Sequence, residues 1–338
     1  MNKLKHSLKA VYSKISPRHR RARRLHRAYR ELLSRALEGA NTPQEIEAAK
    51  RWAFREMESP GGELALLQQG NLLLLKILRS VCDREQIPFW MLGGTLLGAV
   101  RHGGFIPWDD DIDVGMLRCD ILRLRRAVDA IPGLKLSAYC NNRDYNGVPI
   151  FTQVVKLTLD DPDSPFWIDI LSYDCAGSRT LSQQELWAEI SRVRRETEEK
   201  LIALKGQFRK VYWDEIVADP GDRALIDSAY EAGFRALPAL DEPEYIYRSI
   251  DSVCGSWQRL FPCENMMPFC QLEFEGELFP APKEYEWYLQ LHFGDYLVLP
   301  GDIGQMHTAF LSKRLKNARS ALERLKKMNG EGDGDDGR

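Results

Sequence analysis

No run of about eighteen uninterrupted apolar residues occurs in the 338-residue chain, so a transmembrane helix is not expected. The most apolar stretch, residues 64–81, is interrupted by Gln68, Gln69, Asn71, Lys76 and Arg79. No apolar core follows the basic N-terminus, so a secretory signal is not expected either. The seven cysteines are scattered and none forms a C-x-x-C pair. Their closest spacing, Cys263 to Cys270, is a poor zinc signal. Reduced, mostly buried thiols are expected, as in a cytosolic protein. Acidic residues are missing altogether from residues 1–30, where eleven Lys or Arg stand. Against a whole-chain charge of −2, that leaves −13 on the remainder, so a basic arm precedes an acidic body.

What is present fits a folded protein. Hydrophobic residues make up 44% and charged residues 28%, which argues against disorder, collagen or a coiled-coil rod. Residues 1–58 read as a basic helical extension, 59–310 as the main domain, and 311–338 as a C-terminal helix with a disordered Gly/Asp tail. Leu4, Leu8, Val11 and Ile15 recur at helical spacing in the arm. A second helix is expected over residues 18–37. A third opens at Thr42, with Pro43 at its first position. Ser59-Pro60-Gly61-Gly62 is the boundary turn.

In the main domain, helices are expected over 63–86, 95–101, 117–131, 181–205, 222–237, 283–293 and 305–328. Strands are expected over 88–92 and 111–116, and near 134–139, 149–159 and 165–172. The fold class that follows is α+β, with a mixed sheet flanked by helices.

Four of the five residues 109–113 are aspartates. Such a cluster repels itself unless a cation neutralises it. Asp111 and Asp113 alternate with Ile112, Val114 and Met116, which on a strand puts both carboxylates on one face. Two carboxylates on a rigid strand make a hard oxygen site suited to Mg²⁺. The alternation disfavours a solvated acidic turn. An EF-hand loop is excluded, because Val114 and Asp120 stand where its Gly and Glu are required.

Gly93-Gly94-Thr95 lies at a strand-to-helix junction, where glycine admits a ligand and free N–H groups can hold phosphate. Arg101 is either a phosphate contact or a helix cap. Lys156 reads as a strand-surface lysine rather than a phosphate contact, and Trp108 and Trp167 as core. A phosphate cradle followed by a metal-binding carboxylate pair is what phosphoryl transfer needs.

The pattern of two glycines, a short helix and Asp-x-Asp on a strand resembles the nucleotidyltransferase superfamily. Within it, the run Gly94–Val114 is similar to the LicD family, which includes the fukutin-type transferases. A later block, Tyr285-Glu286-Trp287-Tyr288-Leu289 followed by Phe293-Gly294-Asp295-Tyr296 through Pro300 to His307, resembles that family too, with Phe293 where Tyr is usual. The resemblance spans about residues 63–310 and leaves the basic arm and the tail unexplained.

The resemblance implies a nucleotidyltransferase-like fold and a Mg²⁺-dependent phosphotransferase, with Mn²⁺ as the alternative ion. The implied reaction moves phosphocholine or a polyol phosphate from a CDP-activated donor to a glycan hydroxyl. The implied acceptor is lipopolysaccharide, teichoic acid, capsule or a lipid-linked precursor, and CMP leaves. It also implies a third carboxylate on a later strand. Asp169 is the candidate because it lies inside an apolar, strand-like run, and Asp174 is the runner-up. Asp160, Asp161 and Asp163 flank Pro162 and read as turn residues.

The expected catalytic and metal set is therefore Asp111, Asp113 and Asp169. The expected substrate contacts are Gly93, Gly94, Thr95, Arg101, Asp109 and His307. True nucleotidyl transfer, a metal-dependent sugar-nucleotide glycosyltransferase and a non-enzymatic glycan-binding protein are the rival readings. The basic arm, residues 1–40, suits an anionic membrane surface. By charge alone it also suits nucleic acid, which is the less favoured partner. The expected location is cytoplasmic, peripheral on the inner face of the membrane.

Overall fold

The computed structural model describes residues 17–143, 149–204, 207, 215–216, 219–252, 259–300, 303 and 314–330. The elements run α1 (Pro17–Ala36), α2 (Pro43–Arg55), α3 (Glu63–Glu85), β1 (Phe89–Met91), α4 (Gly93–His102), β2 (Asp113–Leu117) and α5 (Arg118–Asp129). Next come β3 (Leu134–Arg143), β4 (Pro149–Leu159), β5 (Trp167–Ala176), α6 (Gln183–Leu204), β6 (Glu215–Ile216) and α7 (Pro220–Ala236). The last part holds β7 (Tyr245–Arg248), β8 (Leu260–Pro262), α8 (Cys263–Met266), β9 (Cys270–Phe274), β10 (Glu277–Ala281) and α9 (Tyr285–Phe293). A 3₁₀ turn (Arg314–Asn317) then leads into α10 (Ala318–Met328).

The central sheet has the order β1-β2-β5-β4-β3-β6. It is mixed: β2 and β5 are parallel, while the β1–β2, β5–β4, β4–β3 and β3–β6 pairs are antiparallel. β7 pairs with the far half of β5, Tyr173–Ala176, and carries β8. The structure is thus a mixed sheet flanked by helices.

Strand alternation sorts the sheet into two faces. Val114, Met116, Ile168, Ile170, Val155, Leu157 and Leu136 are buried in one cluster with Ile121, Leu124 and Val128 of α5 and the apolar stripe of α3. Residues one step out of phase, Asp113, Asp169, Lys156 and Ser137, stand in register across β2, β5, β4 and β3. Register partners share a face, so these four form a polar row opposite the core.

Thr42 caps α2 through a full capping box with Glu45. Tyr29 of α1 lies 4.5 Å from Phe54 of α2, ring to ring, and both are buried in the main core. The described part of the basic segment therefore contributes apolar side chains to the domain. No described helix is long and apolar enough to cross a membrane. The first sixteen residues and the tail after Gly330 lie outside the described residues.

Candidate active site

The site is built around the N-terminal ends of α4 and β2. Gly93 opens α4 with φ +58, a conformation that L side chains rarely adopt. A Cβ at Gly93 would lie 2.7 Å from Asp113 Oδ2, and one at Gly94 would lie 2.5 Å from Asp109 Oδ2. Both glycines are thus present because carboxylates stand directly against the backbone there. Two carboxylates at a helix N-terminus are also favoured by its dipole.

Asp113 is held twice. Its N–H donates to Thr95 Oγ1 at 2.8 Å, and its carbonyl accepts from Leu92 N at 3.2 Å. Thr95 is buried, so its hydroxyl acts here as an anchor for the start of β2. β2 begins at Asp113, two residues later than the alternation suggests. Asp111 lies on the approach to the strand, where Asp169 N still reaches Ile112 O at 2.8 Å and prolongs the pairing.

Asp113 and Asp169 are register partners on β2 and β5. Asp111, Asp113 and Asp169 each offer a carboxylate oxygen within 4.8 Å of the others. Asp109, Asp110 and Asp111 form a second such group, sharing Asp111. All donors are hard, anionic oxygens, and the glycine backbone leaves them room. That donor set fits Mg²⁺ or Mn²⁺ and does not fit a soft metal.

Asp174, the runner-up for the third carboxylate, is elsewhere. It projects on the opposite face of β5, ion-paired to Arg118 at 3.0 Å and accepting from Ser249 Oγ at 2.6 Å. Asp161 and Asp163 sit in a turn, as the sequence suggests.

α3 supports the aspartate loop from beneath. Gln68 Nε2 donates to Asp109 O at 2.8 Å, and Asn71 Nδ2 donates to Asp110 O at 2.9 Å. Asn71 Oδ1 accepts from Trp167 N at 3.0 Å, so one fully buried amide ties the loop to β5. Gln68 and Asn71, two of the polar residues that interrupt the apolar stretch 64–81, are the posts on which the loop rests.

Other expected contacts resolve differently. Arg101 is only 2% exposed, with its guanidinium 4.4 Å from the Phe54 ring centroid and 5.8 Å from that of Trp108. It also donates to Tyr296 O at 3.3 Å. Burial pushes it down to about 10, despite the pull of Tyr29 and Asp109. So placed, it joins α4 to α2 and the loop. Burial, reinforced by Arg101, also holds the His102 imidazole well below its usual range. His307 lies outside the described residues.

Lys156 is not a free surface lysine. Its ammonium lies 3.0 Å from Asp169 Oδ1, and neither side chain is more than 17% exposed. Arg248 has no counterpart in the sequence reading, and Tyr288 stands there only as part of the later block, with no role given to it. Both are buried; burial is the main cause that raises the Tyr288 phenol, and the Asp113 charge adds a small upward push on both. The sequence signal for Arg248 is a short aromatic and β-branched run, Tyr245–Arg248, while Tyr288 falls in the helix expected over 283–293. The described cysteines are free, and Cys82 and Cys140 are the buried ones; Cys119 is exposed.

Residues 86–172 match the family described as LicD/FKTN/FKRP, nucleotidyltransferase domain. Over that segment the chain is similar to the LicD family. The matched segment contains the glycine hinge, the aspartate loop, β2 and Asp169. One relative, the lipopolysaccharide cholinephosphotransferase LicD of Haemophilus influenzae, is 28% identical over 262 residues, 71% of this chain and 94% of that protein. The human ribitol 5-phosphate transferase FKRP is 46% identical over 41 residues, 12% of this chain and 8% of that one. An uncharacterised Rickettsia prowazekii protein, RP689, is 43% identical over 53 residues, 16% of this chain and 20% of that protein.

Proposed function

We propose that the chain is a metal-dependent phosphotransferase acting on glycans. It moves phosphocholine or a polyol phosphate from a CDP-linked alcohol to a hydroxyl of a cell-surface glycan or its lipid-linked precursor, and releases CMP. The observation that carries this reading is the convergence of Asp111, Asp113 and Asp169 beside the Gly93-Gly94 hinge. Relatives named for cholinephosphate and ribitol 5-phosphate transfer support the class of group moved.

Asp111, Asp113 and Asp169 would hold the ion. A bound Mg²⁺ or Mn²⁺ supplies charge neutralisation for the diphosphate and for the attacking and leaving oxygens. The three carboxylates alone would repel the donor, so they make binding of the diphosphate depend on the cation. The open backbone at Gly93 and Gly94 and the N-terminal N–H groups of α4 seat the diphosphate. Asp109, against Gly94, orients that end of the site. Asp169 takes the proton of the acceptor hydroxyl. The acceptor oxygen bonds to the distal phosphorus as the bond from that phosphorus to the bridging oxygen breaks, and CMP carries the bridging oxygen away.

The test is incubation of the full chain with Mg²⁺, a panel of CDP-alcohols and a glycan acceptor, followed by product analysis. Expected are CMP and a phosphorylated acceptor. A nucleotidylated acceptor, or a nucleoside diphosphate with a new glycosidic bond, overturns the reading. Asp113→Asn is expected to lower turnover by more than the ~10–100-fold typical of losing a mere supporting partner of a metal ligand.

The cluster of positive charge before Glu31 belongs to the same reading: it draws the enzyme to an anionic membrane face, where lipid-linked acceptors reside.

A further inference from the structure

Lys156 occupies a place that a surface lysine does not. It lies on β4, in register with Asp169 of β5, in the polar row that includes Asp113. Its Nζ is 3.0 Å from Asp169 Oδ1, yet that contact lacks hydrogen-bond geometry: it is an ion pair by distance alone. The Lys156 side chain is 14% exposed. The ring centroids of Trp167 and Tyr139 lie 5.0 and 5.4 Å from the ammonium.

Removing an ammonium from water is costly unless opposite charge and polarisable surface replace the hydration. Here one carboxylate and two aromatic faces replace part of it. The result is a cation held at the rim of the carboxylate cluster, beside Asp169 and two aromatic rings. A lysine head is a compact point charge on a flexible stem, and it binds phosphate oxygen without the planar demands of a guanidinium. A phosphoryl group seated on the cluster would carry its non-bridging oxygens within reach of that stem.

We propose that Lys156 is a catalytic residue of this site, whose ammonium moves from Asp169 to a non-bridging oxygen of the phosphoryl group in transfer. Before substrate binds, the ammonium screens Asp169. Once substrate binds, it offsets negative charge on the phosphoryl oxygens, and Asp169 is freed to take the hydroxyl proton. No covalent bond to Lys156 is made, and its own protons stay on it. This inference rests on the phosphotransfer reading above.

The test uses the full chain and two variants, Lys156→Met and Lys156→Arg. Two quantities are measured: Mn²⁺ affinity by titration without nucleotide, and kcat and KM for CMP release from whichever CDP-alcohol the wild type accepts. For Lys156→Met, we expect Mn²⁺ to bind at least as tightly, because Asp169 has lost a competing cation. We expect kcat to fall by about 10²–10³-fold, the usual loss when one charge-stabilising donor is removed. Lys156→Arg should recover part of kcat. Unchanged kcat in Lys156→Met overturns the proposal and leaves Lys156 as a screen for Asp169. A Mn²⁺ affinity that drops in step with kcat also overturns it, because the lysine would then only order the carboxylates. If Lys156→Met fails to fold, Lys156→Gln carries the same two measurements. If the wild type binds Mn²⁺ but releases CMP from no donor, it is the phosphotransfer reading that fails, and this proposal with it.

Discussion

At the residue scale, the site is a contest between crowding and repulsion. Asp109 and Asp113 approach the backbone at positions where even one methyl group would collide with a carboxylate oxygen. Gly93→Ala adds both that collision and a left-handed backbone, which costs a non-glycine residue roughly 1–2 kcal/mol. The expected outcome is a fall of about that size in unfolding free energy, read by denaturant titration, together with weaker Mn²⁺ binding. Gly133→Ala is the control: Gly133 has φ +87, but its Cβ would meet nothing within 4 Å. It should lose similar stability and keep its Mn²⁺ affinity. Asp111, Asp113 and the glycine pair could be singled out from the sequence because their chemistry is local. Arg101 could not be assigned that way. Whether a guanidinium faces a ligand or the Phe54 ring depends on a helix distant in the chain.

At the element scale, the long periodic segments were legible and the short ones were not. The helix expected over 63–86 is Glu63–Glu85, and the strand expected over 149–159 is Pro149–Leu159. Their patterns are long enough for periodicity to speak. β7 to β10 escaped because each offers only three to five residues of pattern. The β9–β10 hairpin also turns through Glu275 and Gly276, with Glu275 at φ +53, where Asn or Asp before Gly is the usual signal. α4 starts at Gly93 rather than Thr95, because a glycine pair that reads as a turn supplies the first helical turn. α3 shows what a polar break in an apolar helix can be for. Asn71→Leu would keep the volume but leave Asp110 O and Trp167 N buried without their amide partner. Each such group costs about 1–3 kcal/mol, so urea unfolding should show a loss of at least that size. Turnover should fall too, since the loop carrying Asp109 to Asp111 loses its tie to β5.

At the scale of the whole molecule, the basic segment is both a source of charge and part of the fold. Leu25 and Tyr29 of α1 are buried in the main core, so removing α1 would expose that core and confound any binding assay. The cleaner variant replaces Lys3, Lys5, Lys9 and Lys14 with Gln and leaves α1 untouched. Juxtamembrane basic residues contribute about 1 kcal/mol each at an anionic surface. The full chain is expected to co-sediment with vesicles containing anionic lipid and not with neutral ones. The four-fold variant should bind more than tenfold more weakly, and its melting temperature should be unchanged. Equal binding by both proteins would rule out charge attraction through the arm.

The amino-acid sequence alone determined the class of fold, the acidic chemistry of residues 109–113 and the glycine hinge before them. Each of these is a property of near neighbours: periodicity, alternation, or the lack of a side chain. The tertiary structure set Asp169, already preferred to Asp174, beside Asp113 through β5 lying parallel to β2, and turned Asp174 to the other face. It alone joined Lys156 to Asp169 and committed Arg101 to an aromatic clamp. Those pairings link elements distant in the chain, and no local pattern encodes which face of a strand a distant partner will meet.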